Sequence, residues 1–281
     1  MLKNIIKYYL HKVIRSNSLW ELIGFPFIRM ANYLHKHRLK FLLQQTYSRE
    51  NLGKKLPYDV VTGGKFEGMY IASEDTFAGS VLSYLAGSYE NELEPVWELV
   101  AKKNYAKIID IGCAEGYYAV GLARLMPTVK IDAYDTEPSA RQACKENAII
   151  NGVEQQITIK EMFTVETIKN LDTNHKTLLL SDCEGYEKEL FTNVSLPFLK
   201  NVDILIEMHD FIVPNISLTI KQLLKDTHDC ITINSLTDID KLLQYNFPVV
   251  EKMNLSDKDK YDMYAENRWP QHTEWCYFTS K

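Results

Sequence analysis

Acidic residues and a histidine follow two strongly apolar runs of this sequence. Asp182 comes soon after the run 177–180, and Glu207 and His209 end the run that starts at residue 202. If the second run is a β-strand, its period of two places Glu207 and His209 on the same face. A cluster of carboxylates with an imidazole can act as a general base or bind a hard metal ion. Hydrogen bonds that only lock the two loops are the alternative interpretation.

A second motif joins an apolar strand to a turn of small residues. The segment 108–111 is followed by Gly112 and Gly116, which let the backbone approach a ligand closely. Ligands of open α/β sheets bind at the carboxyl ends of the strands, where this turn would lie. The next predicted strand ends at Asp135, whose carboxylate suits the two hydroxyl groups of a ribose. The turn does not match Gly-x-Gly-x-x-Gly, which argues against a nicotinamide cofactor.

Short β-branched runs alternate with helical patterns from residue 107 onwards, and these elements must position both motifs. The alternation predicts an α/β fold whose mostly parallel sheet is covered on both faces. The predicted strands are 107–111, 129–134, 156–160, 177–181, 202–207 and 229–234, and the predicted helices are 116–125, 138–151, 186–192 and 215–225. Two further strand patterns, at 261–266 and 273–279, predict a C-terminal antiparallel hairpin that closes the sheet.

Residues 1–50 predict a basic amphipathic helical extension. Residues 1–49 contain nine Lys and Arg but one acid, a net charge of +8 in a chain of net charge −5. A second helical pattern follows Pro26. The first pattern has an apolar face and a basic face, made respectively of Leu2, Ile5, Ile6, Tyr9 and Val13 and of Lys3, Lys7, His11 and Arg15. We expect the helix over 1–15 to dock on a membrane, on a second subunit or in the core of its own chain.

Composition narrows the class of protein. The chain is 46% hydrophobic and 25% charged, which is typical of a globular protein. Five cysteines without a Cys-x-x-Cys pair exclude a zinc knuckle or a disulfide framework and favour a reducing compartment. No apolar run approaches the roughly 20 residues that span a bilayer. We therefore expect a cytoplasmic protein, with peripheral contact to the inner membrane face as an alternative.

The glycine-containing turn resembles a known cofactor loop. Asp110, Gly112, Ala114 and Gly116 resemble the acidic-x-Gly-x-Gly-x-Gly loop of class I S-adenosylmethionine-dependent methyltransferases, with Ala114 in place of the middle glycine. Segments in the same order along the chain resemble the FkbM-type members of that family, namely 87–93, 114–118, 147–152, 181–187 and 206–209. The resemblance covers about residues 85–215. It implies a Rossmann-like, seven-stranded methyltransferase sheet and S-adenosylmethionine as the cofactor.

The change of sequence pattern near residue 107 also predicts domain bounds. The catalytic domain would span 105–281, preceded by a lead-in hairpin and helices over 51–104. Within the lead-in, short strands are predicted over 58–72, and helices over 77–103 that meet near Gly87.

The resemblance implies roles for individual residues. Met162 follows the third strand, where this fold contacts adenine, and a core position is equally expected. Glu90 belongs to the family's Tyr-Glu element, with a solvated helix face as the alternative. The cofactor would be bound by Asp110, Gly112, Ala114, Gly116, Asp135, Met162 and Glu90. Catalysis would use Asp182, Glu207 and His209, either with a neutral His209 as the favoured base or with all three binding Mg²⁺.

These inferences predict an enzyme that methylates a hydroxyl oxygen of a sugar, a lipid-linked glycan or a related metabolite. Residues 181–184 replace the Asn/Asp-Pro-Pro-Tyr motif of nucleic-acid amino methylases, so base N-methylation is not expected. The alternatives are an RNA methyltransferase whose extension binds phosphates and a non-catalytic scaffold that binds S-adenosylmethionine. The expected partners are a small-molecule or glycan acceptor, a membrane surface through residues 1–15 and a second copy of the chain, and nucleic acid is not expected.

Overall fold

A seven-stranded sheet forms the centre of the protein. The computed structural model describes residues 2–52, 56–72, 80–172, 174–266 and 273–281. The strands are β1 (Asp59–Val60), β2 (Tyr70–Ile71), β3 (Lys107–Ile111), β4 (Lys130–Tyr134), β5 (Ile157–Lys160), β6 (Thr177–Ser181), β7 (Val202–Met208), β8 (His228–Asn234) and β9 (Glu274–Ser280). Five parallel strands lie in the order β5-β4-β3-β6-β7. Strand β9 is antiparallel to β7, β8 is antiparallel to β9, and β1 pairs only with β2.

Helices precede the sheet and connect its strands. A π-helical turn over Trp20–Gly24 joins the second helix to the third, and a 3₁₀ turn over Asn91–Leu93 precedes the fifth. The helices are α1 (Leu2–Arg15), α2 (Asn17–Leu19), α3 (Phe25–Tyr47), α4 (Val81–Ala86), α5 (Glu94–Lys102), α6 (Tyr117–Leu125), α7 (Pro138–Ile150), α8 (Val165–Lys169), α9 (Glu187–Leu190), α10 (Leu196–Leu199), α11 (Ile216–Leu224), α12 (Asp238–Gln244), α13 (Pro248–Glu251) and α14 (Asp257–Tyr264).

The apolar character of the central strands follows from burial on both faces. Every residue of β6 and β7 is buried, as is β3 from Ile108 onwards. Helices cover both faces of such a sheet, so neither face selects for polar side chains. Strand β8 lies at the sheet edge, and most of its residues are exposed. The predicted fold class, a mostly parallel seven-stranded sheet with antiparallel C-terminal strands and an N-terminal helical extension, is confirmed.

The register of the central strands brings two loops together. Ile111 of β3 pairs with Ser181 of β6, so the residues that follow them, Gly112 and Asp182, lie side by side. The Asp182 N–H donates to the Ile111 carbonyl over 2.9 Å. The pairing of β6 with β7 places Glu207 next to Asp182 in the same way.

A crevice opens where the chain changes direction across the sheet. Strand β3 has β4 on one side and β6 on the other, which makes it the topological switch point of the sheet. The Gly112 N–H donates to the Tyr134 carbonyl over 2.9 Å and holds the loop after β3 against the end of β4. Asp135, the next residue, therefore lies at the edge of the crevice.

The C-terminal part of the chain corrects one prediction. Residues 261–266 do not form a strand, because α14 covers Asp257–Tyr264. Ser256 caps this helix by accepting the N–H of Asp259, and Met263 and Tyr264 are fully buried. The antiparallel partner of β9 is β8 rather than a strand over 261–266. The expected turn at Trp269-Pro270 lies outside the described residues.

The N-terminal extension is helical as predicted, but the described side chains of its first helix, residues 6–15, are not part of the core of their own chain. Near its end, Leu39, Leu43 and Tyr47 of α3 are buried against the rest of the protein. Large apolar side chains between residues 6 and 34 are instead mostly exposed. The interpretation of the first helix as an intrachain core helix is therefore wrong.

Candidate functional site

A cavity of about 470 Å³ lies at the carboxyl ends of the strands, where the sequence predicted the cofactor. Of the predicted cofactor residues, Gly112, Ala114, Asp135 and Met162 line it. Asp182 also lines it and connects it to the second predicted cluster. The volume falls in the range of roughly 300–1,000 Å³ that small-molecule sites occupy.

The loop needs glycine at positions 112 and 116 because other parts of the protein approach its backbone closely at both. A Cβ atom at Gly112, whose φ is +83°, would lie 1.7 Å from the backbone carbonyl oxygen of Asp182. A Cβ atom at Gly116 would lie 2.6 Å from Sγ of Cys144 in α7. Neighbouring chain segments therefore require glycine at both positions, and the backbone of Gly112 also lines the cavity.

Ala114 and Asp135 hold the loop together. Ala114 has φ of 46°, a left-handed conformation that costs an L-residue free energy. Its N–H donates to Asp135 Oδ2 over 2.9 Å, and the N–H of Glu137 donates to Asp135 Oδ1 over 2.8 Å. Each carboxylate oxygen keeps further acceptor capacity, so Asp135 can bind ribose hydroxyls as well as the loop.

Met162 lies on the wall of the cavity rather than in the core. Its side chain is 51% exposed, whereas the next residue, Phe163, is buried against Tyr134. The core interpretation of Met162 is wrong. A thioether at this position can contact an aromatic ring of a ligand.

Three predicted cofactor residues lie behind the cavity wall instead of lining it. Asp110 is 2% exposed, and burial, assisted by the negative charge of Asp135, raises the pKa of Asp110 to about 7. Gly116 packs on α7. Glu90 is buried, its N–H donates to the Glu266 carboxylate, and its own carboxylate accepts the Tyr118 hydroxyl, which excludes the solvated helix face.

Asp182, Glu207 and His209 meet as the alternation of the strands predicted. Nε2 of His209 lies 3.5 Å from Asp182 Oδ1 and 3.3 Å from Glu207 Oε2. One polar atom from each of the three lies within 4.8 Å of the others, a spacing that could hold a metal ion. His209 and Glu207 are buried, whereas 18% of the Asp182 side chain is accessible.

Charge in the cluster determines which residue can take up a proton. Burial lowers the pKa of His209, but the close carboxylates of Glu187 and Glu207 outweigh burial and raise it to about 11. The predicted neutral His209 is therefore wrong for this arrangement, in which the imidazole is protonated at neutral pH. Burial and the charges of Glu207 and Glu90 raise the pKa of Asp182 well above its ordinary value, although His209 opposes this.

Glu187 lies in the segment 181–187 of the family resemblance, but the sequence analysis assigned it no role in the site. It is fully buried, and its carboxylate accepts the N–H groups of Cys183 and Gly185 over 2.9 and 2.8 Å. Its Oε1 also lies 3.4 Å from Nδ1 of His209. Backbone N–H groups and the imidazole hold the pKa of Glu187 below its ordinary value despite burial. One feature of the sequence could have indicated this role: Glu187 follows Gly185 by two residues, and an acid soon after a glycine in a tight turn can accept the N–H groups of that turn.

Comparison with known proteins gives one partial match to a family. The family model of ribosomal protein L11 methyltransferase (PrmA) matches residues 93–176, less than a third of the chain. The match includes Gly112, Asp135 and Met162 but ends before Asp182. A search of curated proteins found no match.

Several solved methyltransferase structures are similar in part. The O-methyltransferase TomG from Streptomyces achromogenes, in complex with S-adenosylmethionine, is 11% identical with a TM-score of 0.45, over 85% of this chain and 89% of that one. The O-methyltransferase from Bacillus cereus, in complex with S-adenosylhomocysteine, is 11% identical with a TM-score of 0.44, over 69% and 80%.

A third such structure is precorrin-6y C5,15-methyltransferase from Geobacter metallireducens, 13% identical with a TM-score of 0.39, over 66% of this chain and 88% of that one. In its sheet and in the segment that carries the cofactor loop, the chain is similar to the class I S-adenosylmethionine-dependent methyltransferases.

Proposed function

We propose that this protein transfers a methyl group from S-adenosylmethionine to a hydroxyl oxygen of its acceptor. The observation that carries the proposal is the position of Asp182, which lines the cofactor cavity and also belongs to the buried cluster with Glu207 and His209. An alcohol is a weak nucleophile until it loses its proton. A proton acceptor beside the cofactor is therefore what O-methyl transfer requires.

The lining of the cavity suits the proposed cofactor. S-adenosylmethionine supplies, when bound, a methyl group on a positively charged sulfur. Asp135 would accept hydrogen bonds from the ribose hydroxyls while it keeps the N–H of Ala114. Met162 would pack against the adenine ring. The acceptor must be aligned with the methyl group for a direct displacement, which is the task of the walls around Asp182.

Asp182 is the proposed general base. Its raised pKa makes it a stronger proton acceptor than an ordinary aspartate, and it alone of the cluster lines the cavity. The proton of the acceptor hydroxyl would move to an Asp182 carboxylate oxygen as the oxygen–carbon bond forms and the sulfur–methyl bond breaks, with S-adenosylhomocysteine as the leaving group. His209, protonated and held by Glu187, would position the carboxylate and stabilise its charge.

A divalent cation is the second candidate role of the same cluster. The spacing of the Asp182, Glu207 and His209 ligand atoms favours it, since oxygen and imidazole ligands both bind such ions. A metal would lower the pKa of the acceptor hydroxyl and require a neutral imidazole. A chelator should then abolish activity and added Mg²⁺ should restore it, whereas activity that resists the chelator leaves Asp182 as the base.

The FkbM-type resemblance supplies the acceptor class. We propose a sugar hydroxyl, either in a lipid-linked glycan or in a related metabolite. The matched family model carries the name of a protein methylase, but the match leaves out the residues of the acid–histidine cluster. An RNA acceptor remains the main alternative because the extension is basic.

The test is to follow a labelled methyl group into fractionated cell extract. Incubation of the protein with methyl-labelled S-adenosylmethionine should label a glycan or glycolipid fraction, and the label should resist mild alkali, as an ether does and an ester does not. An Asp182→Asn protein is the control and should transfer little label. Label in RNA or protein would contradict the acceptor class. Binding of S-adenosylhomocysteine without transfer to any fraction would favour the scaffold alternative.

A further inference from the structure

The N-terminal extension exposes an unusual number of apolar side chains. Between residues 6 and 34, thirteen large apolar side chains are each at least 40% exposed, including Tyr9, Ile14, Leu22 and Phe27. Soluble monomers rarely expose apolar patches beyond a few hundred Å², and larger ones mark binding surfaces. Something other than water is therefore expected to cover this segment.

The exposed segment is anchored at one end only. Leu39, Leu43 and Tyr47, in the second half of α3, are buried against the body of the protein. By contrast, no residue from 6 to 34 is buried. The anchored half fixes the extension to the protein, and residues 6–34 remain available to a partner.

Basic residues are interleaved with the apolar ones. Lys7, Lys12, Arg15 and Arg29 stand against Glu21 alone within residues 6–34. Among the residues that the structure describes, none of these four cations lies in an ion pair. Lys12 and Arg29 instead lie over the rings of Tyr8 and Phe25 within the extension itself. Apolar and aromatic side chains combined with lysines and arginines are typical of helices that lie in a membrane interface.

We propose that residues 6–34 bind the surface of an anionic membrane. A second copy that packed its own extension against this one would bring the same positive charge and repel it, and nucleic acid would pair the cations but leave the apolar side chains in water. A bilayer with anionic headgroups would pair with the basic side chains and also bury the apolar ones. Among the described residues, no helix is long and apolar enough to cross a membrane. The proposal does not depend on methyl transfer.

Vesicle flotation of the full-length protein tests the proposal. The protein should float with vesicles that contain phosphatidylglycerol and stay in solution with phosphatidylcholine alone. Replacing Lys7, Lys12 and Arg15 together by Gln should lower the partition coefficient about 100-fold, since each such charge contributes ~1 kcal/mol near an anionic surface. An Ile14→Ser, Leu22→Ser, Phe27→Ser protein should also lose flotation, because the insertion of apolar groups is removed.

A matched control separates the extension from exposed apolar residues elsewhere. Leu218 and Leu243 are 67% and 77% exposed outside the extension, and their replacement by Ser should leave flotation unchanged. All variants should keep the circular dichroism spectrum and the thermal unfolding of the wild type, which shows that they are folded. Failure of the wild type to float would overturn the proposal. A dimer that only the Ser variant disrupts would also overturn it. Retention of the protein on RNA without flotation would overturn it as well.

Discussion

A Cβ atom on Gly112 would lie 1.7 Å from the backbone carbonyl oxygen of Asp182. The loop after β3, which bounds the cofactor cavity, is thus in direct contact with the residue after β6 that we propose as the base. The contact exists because Ile111 and Ser181 pair in register at the ends of the two strands. The distance between this loop and Asp182 is therefore set by sheet register and by the absence of one side chain.

Replacing Gly112 by Ala should unfold or severely destabilise the protein. The new Cβ would overlap the Asp182 carbonyl and also occupy a left-handed conformation. Gly152 has φ of +67°, but a methyl group there would meet no atom within 4 Å, so Gly152→Ala should cost only the backbone strain of about 1 kcal/mol. Chemical denaturation of both variants measures the difference. Equal losses of stability would contradict the steric argument.

Replacing Ala114 by Gly should stabilise the free protein. Ala114 adopts φ of 46°, and an L-residue in this region costs roughly 1–2 kcal/mol that glycine avoids. The greater flexibility of glycine in the unfolded chain offsets part of the gain, so we expect a net increase of about 0.5–1 kcal/mol in the free energy of unfolding. The measurement is urea denaturation without cofactor. A loss of stability would mean that the Ala114 methyl group makes packing contacts that outweigh the strain.

Replacing Asp135 by Ala should weaken the binding of S-adenosylhomocysteine by ~1.5–3 kcal/mol, the range for hydrogen bonds to a charged group. Asp135→Asn keeps an acceptor for the Ala114 N–H and should lose less. Glu146→Ala is the matched control, because Glu146 is an exposed acid of α7 that does not line the cavity. Calorimetry gives the three affinities. Unchanged affinity in Asp135→Ala would remove the ribose assignment.

Replacing Asp182 by Asn should lower kcat by about 10²–10⁴, the typical contribution of a general base, and leave cofactor affinity nearly unchanged. Asn has a similar shape but cannot accept the acceptor's proton. Glu189→Gln changes an exposed acid in the adjacent helix α9 and should keep full activity. Steady-state kinetics and calorimetry separate the two effects. Normal turnover by Asp182→Asn would exclude Asp182 as the base.

Asp110 should make the protein less stable as the pH rises from about 4 to 7. Its pKa is about 7 in the folded state and ~3.9 in an unfolded chain, so the folded state binds more protons across this window. The free energy of unfolding then falls with pH, by at most about 4 kcal/mol above pH 7. In Asp110→Asn this component should vanish, and the variant should be more stable than the wild type at pH 8. Parallel stability curves for the two proteins would contradict the shifted pKa.

The sequence predicted the central elements well because burial on both faces leaves a clear pattern. The bounds of β3 and β6 agree with the predicted 107–111 and 177–181, where three of the five residues of each strand are large and apolar. The prediction of a strand over 261–266 was wrong because a pattern of six residues is too short to distinguish the period of two of a strand from the period of 3.6 of a helix. There the Ser256 cap and the burial of Met263 and Tyr264 select the helix.

By itself, the sequence determined the order of the central strands, the glycine-containing loop after β3 and the acids at the strand ends. These depend on local patterns, which the printed residues carry. Only the tertiary structure decided that the Asp182 carbonyl oxygen occupies the space where a Cβ atom of residue 112 would lie, and that Met162 faces the cavity. It also decided the charge of His209, because an imidazole pKa depends on the carboxylates that surround it in space, and Glu187 and Glu207 reach it from different elements.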